Sequence, residues 1–544
     1  MSIEDDSEQV SNQKPWYRLL HNPPPFRPTK RIYSNAEDAP NFRTLACFPW
    51  GRDSINLLFN AQYTERPHSQ VWATMVARYW DAVAVAAEHS VWIFFTHHPK
   101  RKPVRINLPK EPPEKLIAAD RICLAWAICN TTLSQPLLII SRGSLVYVYN
   151  VELEDICSYL RGHGGAITSI AVHPRYPDLF CTTSRDHSAR IYNLRLPPVQ
   201  APNNPHWPPM PKQTPSRAGP AHGLHMNQPE GSGLGRCIIV LMGGRSGGHN
   251  AAVLGAAFHE DLPIIATCGM DRAVKIWHIR TNEAGDRMLR EDKPLFSSTR
   301  IHKGRVLSVS WIGSDATLIS HCAPAIMRKD SESDDIETYL EAGTVVVWRW
   351  LGMDRFFPAK YYHLQQQGIR QTVLRGCSSD YQESSSFKVL TAYAFRDMPD
   401  QYTVPRGVLY QSPYHDPLFL SIYPEDDHFL ITNIALMKPR QIPSFDEMFA
   451  GILNTNVAPA AANEADETDG LTAMAERMQI ASTWKLPEYQ PPLLSSASWK
   501  FDLHKDRDEE ARINCAAVIA GGRLMVGAGT RGNLWVWALD NPDL

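Results

Sequence analysis

The chain has 544 residues, a formal net charge of −2, 42 prolines and 10% aromatic residues. A charge this close to zero excludes a protein that binds nucleic acid over its whole surface by neutralising phosphates, although a local basic patch stays compatible with it. The ten cysteines lack paired spacing and no apolar run is long enough to cross a bilayer. We therefore expect a soluble, intracellular protein that does not bind membranes.

The first 31 residues differ in composition from the rest of the chain. Residues 1–31 are polar and then proline-rich, so they are predicted to form a disordered arm before a folded domain at residues 32–544. Thr44–Phe48 is interpreted as the strand that closes a ring of blades. Val71–Val76 and Ala82–Phe95 are predicted as the next strands, because both segments are apolar.

Short apolar segments joined by turns then repeat. Ile122–Ile128, Pro136–Ile140 and Gly143–Tyr149 follow the same strand, turn, strand pattern. These first two units lack the Gly-His signature of propeller repeats. We interpret them as degenerate repeats, since the fold depends on alternating inward and outward side chains more than on the signature.

The stretch Leu160–Ile279 contains one pattern twice. In each copy a Gly-His pair precedes a strand, an Asp follows the second strand, and an aromatic residue ends the third. The residues are His163, Asp186 and Tyr192 in the first copy, and His249, Asp271 and Trp277 in the second. Such self-similarity is typical of the blades of a propeller.

The rest of the chain continues this pattern. Further strands are predicted at Gly304–Trp311, Gly343–Trp350, Phe387–Phe395, Pro417–Ile422 and His428–Ile434, and Ile513–Trp537 has the pattern of a complete last blade. The total is seven, so the predicted fold is an all-β, seven-bladed WD-repeat β-propeller.

Three long polar insertions interrupt the repeats. They are predicted at residues 197–235 (Pro-rich), 328–342 (acidic) and 441–500 (rich in Ala, Glu and Asp), with a marginal helix at Leu471–Ile480. The acidic run is interpreted as a solvated loop rather than a docking site.

The repeated polar residues are predicted to stabilise the blades. His163 is expected to bond Asp186 with Ser184 or a neighbour, and His249 to bond Asp271, in buried networks. A catalytic triad is the alternative interpretation of the same residues. It is disfavoured because a triad has no reason to occur twice in register, whereas a stabilising network has.

Other signals of enzymatic chemistry are missing from the sequence. Gly243–His249 lacks the Lys and Ser/Thr of a phosphate-binding loop, and no zinc-ligand spacing or paired-carboxylate motif is recognisable. We therefore predict no catalytic residues, no metal and no cofactor. A rigid ring of loops instead favours a binding function.

The sequence resembles a known family at several places. Leu160–Ile167, His173–Leu179 and Ser184–Asn193 resemble the embryonic ectoderm development family, the WD-repeat subunit of Polycomb repressive complex two. Cys268–Ile279 is the most distinctive match, because Cys-Gly-Met-Asp is rarer than a generic repeat. The similarity covers about residues 70–540, and the insertions indicate a divergent member, with a fungal origin as our interpretation.

The resemblance implies a function as well as a fold. It implies a nuclear, non-catalytic scaffold in a histone H3 lysine methyltransferase complex that silences transcription. The implied partners are the catalytic SET-domain subunit, with a helix in a groove on the bottom face, other Polycomb subunits and the histone H3 tail. Sequence-specific binding of DNA is not expected.

The resemblance also implies an aromatic cage for trimethyl-lysine at the top of the channel, which binds the ammonium by cation–π attraction. The cage positions fall near Trp72 in the first blade, Ile122 in the second, and Gly407 and Val408, with the preceding Arg406, in the sixth. One aromatic residue among these positions indicates that methyl-lysine recognition is weakened, lost, or rebuilt from residues such as Tyr402 and Tyr410. A core role for Trp72 is the alternative.

Two other functions remain open at this point. One is a generic WD-repeat scaffold, such as the substrate receptor of a ubiquitin ligase. The other is an enzyme that uses the mouth of the channel. The main partner that copurifies with the protein, or turnover by the isolated chain, would separate these alternatives.

Overall fold

The structure is a computed structural model. It describes residues 15–58, 66–109, 121–129, 135–201, 229–280, 288–328, 338–358, 378–397, 402–439, 492–493, 498–503 and 511–540, apart from 20–23, 25, 34–38, 89, 99, 244–246, 414 and 425. No helix among these residues is long and apolar enough to span a membrane.

Seven antiparallel blades follow one another along the described chain. The first strand, β1 (Phe26–Ile32), belongs to the last blade. Blade 1 contains β2 (Thr44–Cys47), β3 (Ala82–Ala86), β4 (Ser90–Phe95) and β5 (Val104–Asn107), and blade 2 contains β6 (Leu124–Ile128), β7 (Pro136–Arg142), β8 (Leu145–Asn150) and β9 (Asp155–Leu160). Blade 3 contains β10 (Ile167–Val172), β11 (Leu179–Ser184), β12 (Ala189–Asn193) and, as its fourth strand, β14 (Arg236–Leu241). The short strand β13 (Gly231–Ser232) lies between β12 and β14 in the sequence but pairs with β9, so it belongs to the sheet of blade 2.

The second half of the ring repeats this order. Blade 4 contains β15 (Val253–Phe258), β16 (Ile264–Gly269), β17 (Val274–His278) and β19 (Phe296–Ser298). The strand β18 (Leu289–Glu291) precedes β19 in the sequence but pairs in parallel with β14, so it belongs to the sheet of blade 3. Blade 5 contains β20 (Val306–Trp311), β21 (Thr317–Cys322), a hairpin of β22 (Ala325–Arg328) and β23 (Thr338–Glu341), then β24 (Thr344–Trp350) and β25 (Phe387–Ala394). Blade 6 contains β26 (Arg406–Ser412), β27 (His415–Ile422), β28 (His428–Asn433) and β29 (Ser498–Asp502), and blade 7 contains β30 (Ile513–Ile519), β31 (Leu524–Gly529) and β32 (Leu534–Leu539).

Helices are short and lie between strands. They are α1 (Ser54–Leu58), α2 (Arg66–Tyr79), α3 (Met353–Phe356) and α4 (Ser378–Gln382), with 3-10 turns at Trp16–Arg18, Ile434–Leu436, Ala520–Gly522 and Thr530–Gly532. The prediction of a seven-bladed WD-repeat β-propeller is confirmed.

The strand that closes the ring differs from the predicted one. β1 pairs with β32 from Phe26 to Ile32 and completes blade 7, whereas Thr44–Cys47 is the innermost strand of blade 1. The predicted boundary of the disordered arm at residue 31 therefore falls inside a strand. Pro28 is accommodated because β1 is an edge strand with a register shift between Pro28 and Lys30.

The strand predicted at Val71–Val76 is wrong, because this segment lies in α2. Four buried residues, Trp72, Met75, Val76 and Tyr79, have the 3, 4, 7 spacing of one helical face. That face packs onto blade 1 and blade 2, so tertiary burial stabilises a helix where a short apolar run suggested a strand.

The three predicted insertions lie mostly outside the described residues, as does the helix predicted at Leu471–Ile480. Their edges are ordered parts of the ring. Gly231–Ser232 in the first insertion adds β13 to blade 2, and Thr338–Glu341 in the second forms a hairpin with Ala325–Arg328. The third ends within blade 6, because Ser498–Asp502 pairs with β28.

The hydrophobic core is divided among the blade interfaces. The buried apolar residues of the described chain form seven clusters, one between each pair of neighbouring blades. Middle strands contribute on both faces, and every residue of β7, Pro136–Arg142, is buried. The closed ring is therefore stabilised by contacts that each blade makes with both neighbours.

Candidate functional site

The two faces of the ring are defined by strand direction. The top face is the end at which the innermost strands β2, β6, β10, β15, β20, β26 and β30 begin, and the bottom face is the end at which they finish. The second strand of each blade ends at the top, so the turn to the third strand lies there too. The repeated His and Asp residues therefore lie on the top side.

Blade 4 contains a continuous chain of buried hydrogen bonds. The indole N–H of Trp277 donates to Thr267 Oγ1 (2.8 Å), which lies 2.9 Å from His249 Nε2. His249 Nδ1 lies 3.0 Å from Asp271, whose carboxylate also accepts from the main-chain N–H of Asn250 (2.9 Å). All these contacts are satisfied at once by a neutral imidazole that carries its proton on Nδ1.

Blade 3 repeats the arrangement with one change. His163 lies 2.9 Å from Asp186 and 2.7 Å from Thr182 Oγ1, while Ser188 Oγ donates to Asp186 (2.6 Å). Ser184 is not the hydroxyl that contacts the imidazole, because its Oγ donates to the Gly165 carbonyl at 2.9 Å. The neighbour, Thr182, takes that place.

Burial and hydrogen bonding set the charges of these networks. Burial lowers the pKa of His249, which favours the neutral ring. Burial alone would raise the pKa of Asp271, but the contacts with His249 and the Asn250 N–H bring that pKa down to about 2. The network is thus a neutral histidine on an ionised carboxylate.

Blade 5 holds a third network that the sequence motifs did not reveal. His302 Nε2 lies 2.7 Å from Ser320 Oγ, which accepts from the Trp348 indole N–H at 3.0 Å. Nδ1 of His302 faces Thr344 Oγ1 at 3.3 Å instead of a carboxylate. The sequence did contain a signal for this network, because His302 precedes the first strand of the blade, Ser320 lies on the second and Trp348 on the third.

The geometry of the networks leaves little for catalysis. His163 and His249 are buried, and both ring nitrogens of each histidine have partners: Nδ1 contacts a carboxylate oxygen and Nε2 contacts a threonine hydroxyl. His163 does not activate Ser184, because the Ser184 hydroxyl donates to the Gly165 carbonyl and accepts from the Asp186 main-chain N–H. These residues stabilise the blade by hydrogen bonds between its strands, and they do not present a nucleophile to solvent.

The predicted cage residues do not meet. Trp72 is 1% exposed, lies in α2 at the bottom of blade 1, and donates its indole N–H to the Gly51 and Arg52 carbonyls at 3.1 Å each. Ile122 and Gly407 lie at the top, where innermost strands begin. The structure therefore places Trp72 in the core between blades 1 and 2.

The top positions carry no aromatic ring of their own. Ile122 is 4% exposed, and a side chain at Gly407 would meet the Phe419 ring. Val408 is partly exposed, and Tyr402 is exposed. Arginines precede two of these positions in the sequence, Arg121 before Ile122 and Arg406 before Gly407.

One group of possible metal ligands occurs among the described residues. Oxygen and nitrogen atoms of Asp427, His428 and Asp502 lie within 4.8 Å of one another at the top of blade 6. Lys500 Nζ contacts Asp502 at 2.8 Å, and His428 Nδ1 contacts Asp427 at 3.1 Å. Lys500 and His428 therefore already occupy positions beside the two carboxylates.

The bottom face has a groove between blades 7 and 1. A cavity of about 510 Å³ there is lined by Val76 and Trp80 of blade 1 and by Leu524 and Leu539 of blade 7, among others. Ala77 of α2 also lines this cavity and is exposed. Apolar walls of this kind can take the apolar face of a partner's helix.

Comparisons with known proteins agree with this architecture. The WD domain, G-beta repeat model matches residues 155–193 and 235–278. Polycomb group protein FIE1 of Zea mays is 27% identical over 204 residues, which is 37% of this chain and 35% of that protein. Polycomb protein EED of Chaetomium thermophilum is 29% identical over 182 residues (33% and 26%), and Polycomb protein esc of Drosophila melanogaster is 24% identical over 220 residues (37% and 42%).

A solved structure extends the likeness to the whole fold. A chain of the Chaetomium thermophilum Polycomb Repressive Complex 2 bound to GSK126 has a TM-score of 0.54 and 15% identity, with 94% of this chain and 98% of that chain covered. The curated relatives are matched over about a third of their own length. The sequence resemblance is confirmed, and the curated relatives of this chain are the Polycomb proteins FIE, EED and esc.

Proposed function

We propose that this protein is a non-catalytic scaffold subunit of a Polycomb-type histone H3 lysine methyltransferase complex, acting in the nucleus to support gene silencing. The observation that carries the proposal is that the curated relatives it matches over about a third of its length are Polycomb proteins. The motif histidines and aspartates bond one another within the blades, which supports a structural rather than catalytic role for the repeats.

The partner proposed for the bottom face is the catalytic SET-domain subunit. The groove between blades 7 and 1 supports this partner, because its apolar lining fits the apolar face of an amphipathic helix. Arg52 and Arg523 line the same groove and would favour acidic residues at the edges of that helix. Other Polycomb subunits are proposed to join through the remaining surface.

Recognition of trimethyl-lysine is proposed to be weakened or lost. A quaternary ammonium needs aromatic faces within about 6 Å, and Ile122 and Gly407 supply none. The neighbouring guanidinium groups of Arg121 and Arg406 would also repel a cation. Binding of the histone H3 tail would then rely on other contacts, with exposed Tyr402 as an available aromatic residue.

Affinity purification of the tagged full chain from its native cells, followed by mass spectrometry, tests the function. We expect a SET-domain methyltransferase as the main partner. A cullin adaptor as the main partner would instead identify a ubiquitin-ligase receptor, and turnover by the isolated chain would identify an enzyme. Either result would overturn the proposal.

Two variants test where the methyltransferase binds. Ala77→Asp places a charge in the bottom groove, which the exposed Ala77 lines, and is expected to reduce the recovered methyltransferase by about tenfold, equivalent to about 1.4 kcal/mol. Met270→Asp is the matched control, because Met270 is 48% exposed but lies in a turn on the top face. Equal recovery with both variants would place the partner elsewhere.

A further inference from the structure

We propose that the top mouth of the central channel is a binding site for the carboxylates of an acidic polypeptide segment. Three arginines carry the inference. Arg43 directly precedes β2 of blade 1, Arg121 lies just before β6 of blade 2, and Arg406 is the first residue of β26 in blade 6. Each therefore lies where an innermost strand begins.

Main-chain carbonyl groups hold two of the guanidinium groups side by side. Arg406 Nη1 donates to the Arg43 carbonyl at 2.9 Å and to the Asn514 carbonyl at 2.7 Å. Arg121 Nη2 donates to the same Arg43 carbonyl and lies 3.4 Å from Thr44 Oγ1. One oxygen atom is thus shared by two cations that come from blades 2 and 6.

This pair of charges lacks a counter-charge within the described chain. Arg43 forms an ion pair with Glu88 at 3.0 Å, but no described carboxylate lies within ion-pair distance of Arg121 or Arg406. Burial, together with the nearby charges of Arg121 and Arg43, lowers the pKa of Arg406 to about 10. Adjacent cations that are partly desolvated are costly unless an anion compensates them.

The same position is basic in other blades. Arg305 directly precedes β20 of blade 5, and Arg512 directly precedes β30 of blade 7. Five of the seven innermost strands therefore begin at or just after an arginine. The chain as a whole has a net charge of −2, so this concentration of positive charge is a local property of the mouth.

The geometry favours carboxylates over the backbone of a nucleic acid. A guanidinium group offers a planar fork that matches a carboxylate, and the bonds of Arg406 to the described main chain leave its other nitrogens for a ligand. Arg406 is only partly exposed and is held by two main-chain carbonyl groups at the first residues of innermost strands, so it presents a single fixed fork rather than an extended row of cations.

The site does not rest on the proposed function, because it would bind negatively charged carboxylates, whereas trimethyl-lysine is positively charged. It also explains why the ring needs no aromatic residue at Ile122 or Gly407. The two positions border a guanidinium pair, and a cation placed there would meet like charge.

Fluorescence anisotropy with the full chain tests the proposal. The probe is a labelled peptide of about ten alternating Glu and Gly residues, compared with a peptide in which Gln replaces Glu, at about 50 mM salt, where charged groups are weakly screened. We expect binding of the Glu peptide alone. Arg121→Gln combined with Arg406→Gln should weaken it about tenfold or more, because each bidentate charged contact contributes strongly.

A matched control and a second variant keep the test informative. Arg349→Gln removes an exposed arginine at the bottom end of β24 and should change affinity less than about twofold. If loss of the Arg406 bonds destabilises the fold, Arg121→Gln alone still tests the site, because Arg121 is exposed. Equal binding of the Gln peptide, or full affinity in the Arg121→Gln variant, would overturn the proposal. A DNA duplex that binds more tightly than the peptide through the same arginines would also overturn it and identify a nucleic-acid site.

Discussion

Phe26 and Leu539 are paired across β1 and β32, so the first and last described strands of the chain lie side by side in blade 7. Trp16 and Phe26 are buried in the cluster between blades 6 and 7. The segment before residue 33 therefore closes the ring both by main-chain bonds and by apolar burial. Without it, β32 becomes an exposed edge, which invites aggregation.

Deletion of residues 1–32 is expected to lower the free energy of unfolding by at least about 4 kcal/mol, since removal of one buried Trp or Phe alone costs about 3–5 kcal/mol. Urea unfolding followed by tryptophan fluorescence and circular dichroism measures it. Deletion of residues 1–14 is the control and keeps Trp16, Phe26 and β1. Identical unfolding curves for the two truncated proteins would show that β1 contributes nothing.

The hydroxyl group of Thr267 is the centre of the blade 4 network. Thr267→Val keeps the shape but leaves the Trp277 N–H and His249 Nε2 without their partner. We expect a loss of about 2–3 kcal/mol in unfolding free energy, because buried polar groups without partners are costly. Thr338→Val, at an exposed position of β23, should change stability by less than about 0.5 kcal/mol.

A double-mutant cycle makes this prediction specific. Adding Trp277→Phe to Thr267→Val removes a donor that has already lost its acceptor, so the second change should cost less than it does in the original chain. A coupling energy of about 0.5 kcal/mol or more is expected. Strict additivity would mean that the two groups stabilise the blade separately.

Local patterns were enough to predict the ring, but they did not predict the contacts between segments that are distant in the sequence. The doubled Gly-His and Asp pattern predicted blades because it repeats within each unit. The helix at Trp72 carried a 3, 4, 7 spacing that a short apolar run obscured. The closing strand was missed because its pairing with β32 depends on ring closure, which joins residues more than 500 positions apart.

The arginine pair was unpredictable for the same reason. Arg121 and Arg406 meet at the Arg43 carbonyl only because blades 1, 2 and 6 surround one channel. Each arginine by itself is an ordinary polar residue before a strand, and the surrounding sequence has no charge run. The resemblance to the family placed Ile122 and Gly407 at the mouth of the channel, but it did not indicate that the neighbouring Arg121 and Arg406 would come together there.

Trp72 is expected to act as a core residue and not as a ligand for trimethyl-lysine. Trp72→Ala should lower the free energy of unfolding by about 3–5 kcal/mol, because the indole is buried and bonded to Gly51 and Arg52. Chemical denaturation measures this loss.

Calorimetric titration of the unaltered chain with histone H3 tail peptides should show less than about threefold preference for the trimethylated form, since one cation–π contact contributes only about 0.5–1 kcal/mol at an exposed site. A preference above tenfold that disappears in Tyr402→Ala would instead reveal a rebuilt cage.

Buried histidines should make the protein sensitive to mild acid. Burial, together with the nearby His321, lowers the pKa of His302 to about 3, and burial lowers those of His321 and His173 to about 4 and about 3. In the unfolded chain a histidine has a pKa of about 6.5, so below this pH the unfolded state binds more protons than the native state. Stability therefore falls as the pH decreases from about 6.5 toward these folded-state values, with a limiting slope of about 1.4 kcal/mol per pH unit for each such histidine.

His302 offers the clearest test because Ser320 and Thr344 contact its ring and no carboxylate does so among the contacts described. His302→Gln is expected to lower stability at neutral pH but to reduce the slope between about pH 6 and 4.5 by about one proton, since Gln does not titrate. Urea unfolding at several pH values measures that slope. Trp348→Phe breaks the same network while keeping the imidazole, so it should lower stability without changing the slope. An unchanged slope in His302→Gln would mean that His302 binds a proton equally well in the folded and unfolded chain, and that its burial does not contribute to acid sensitivity.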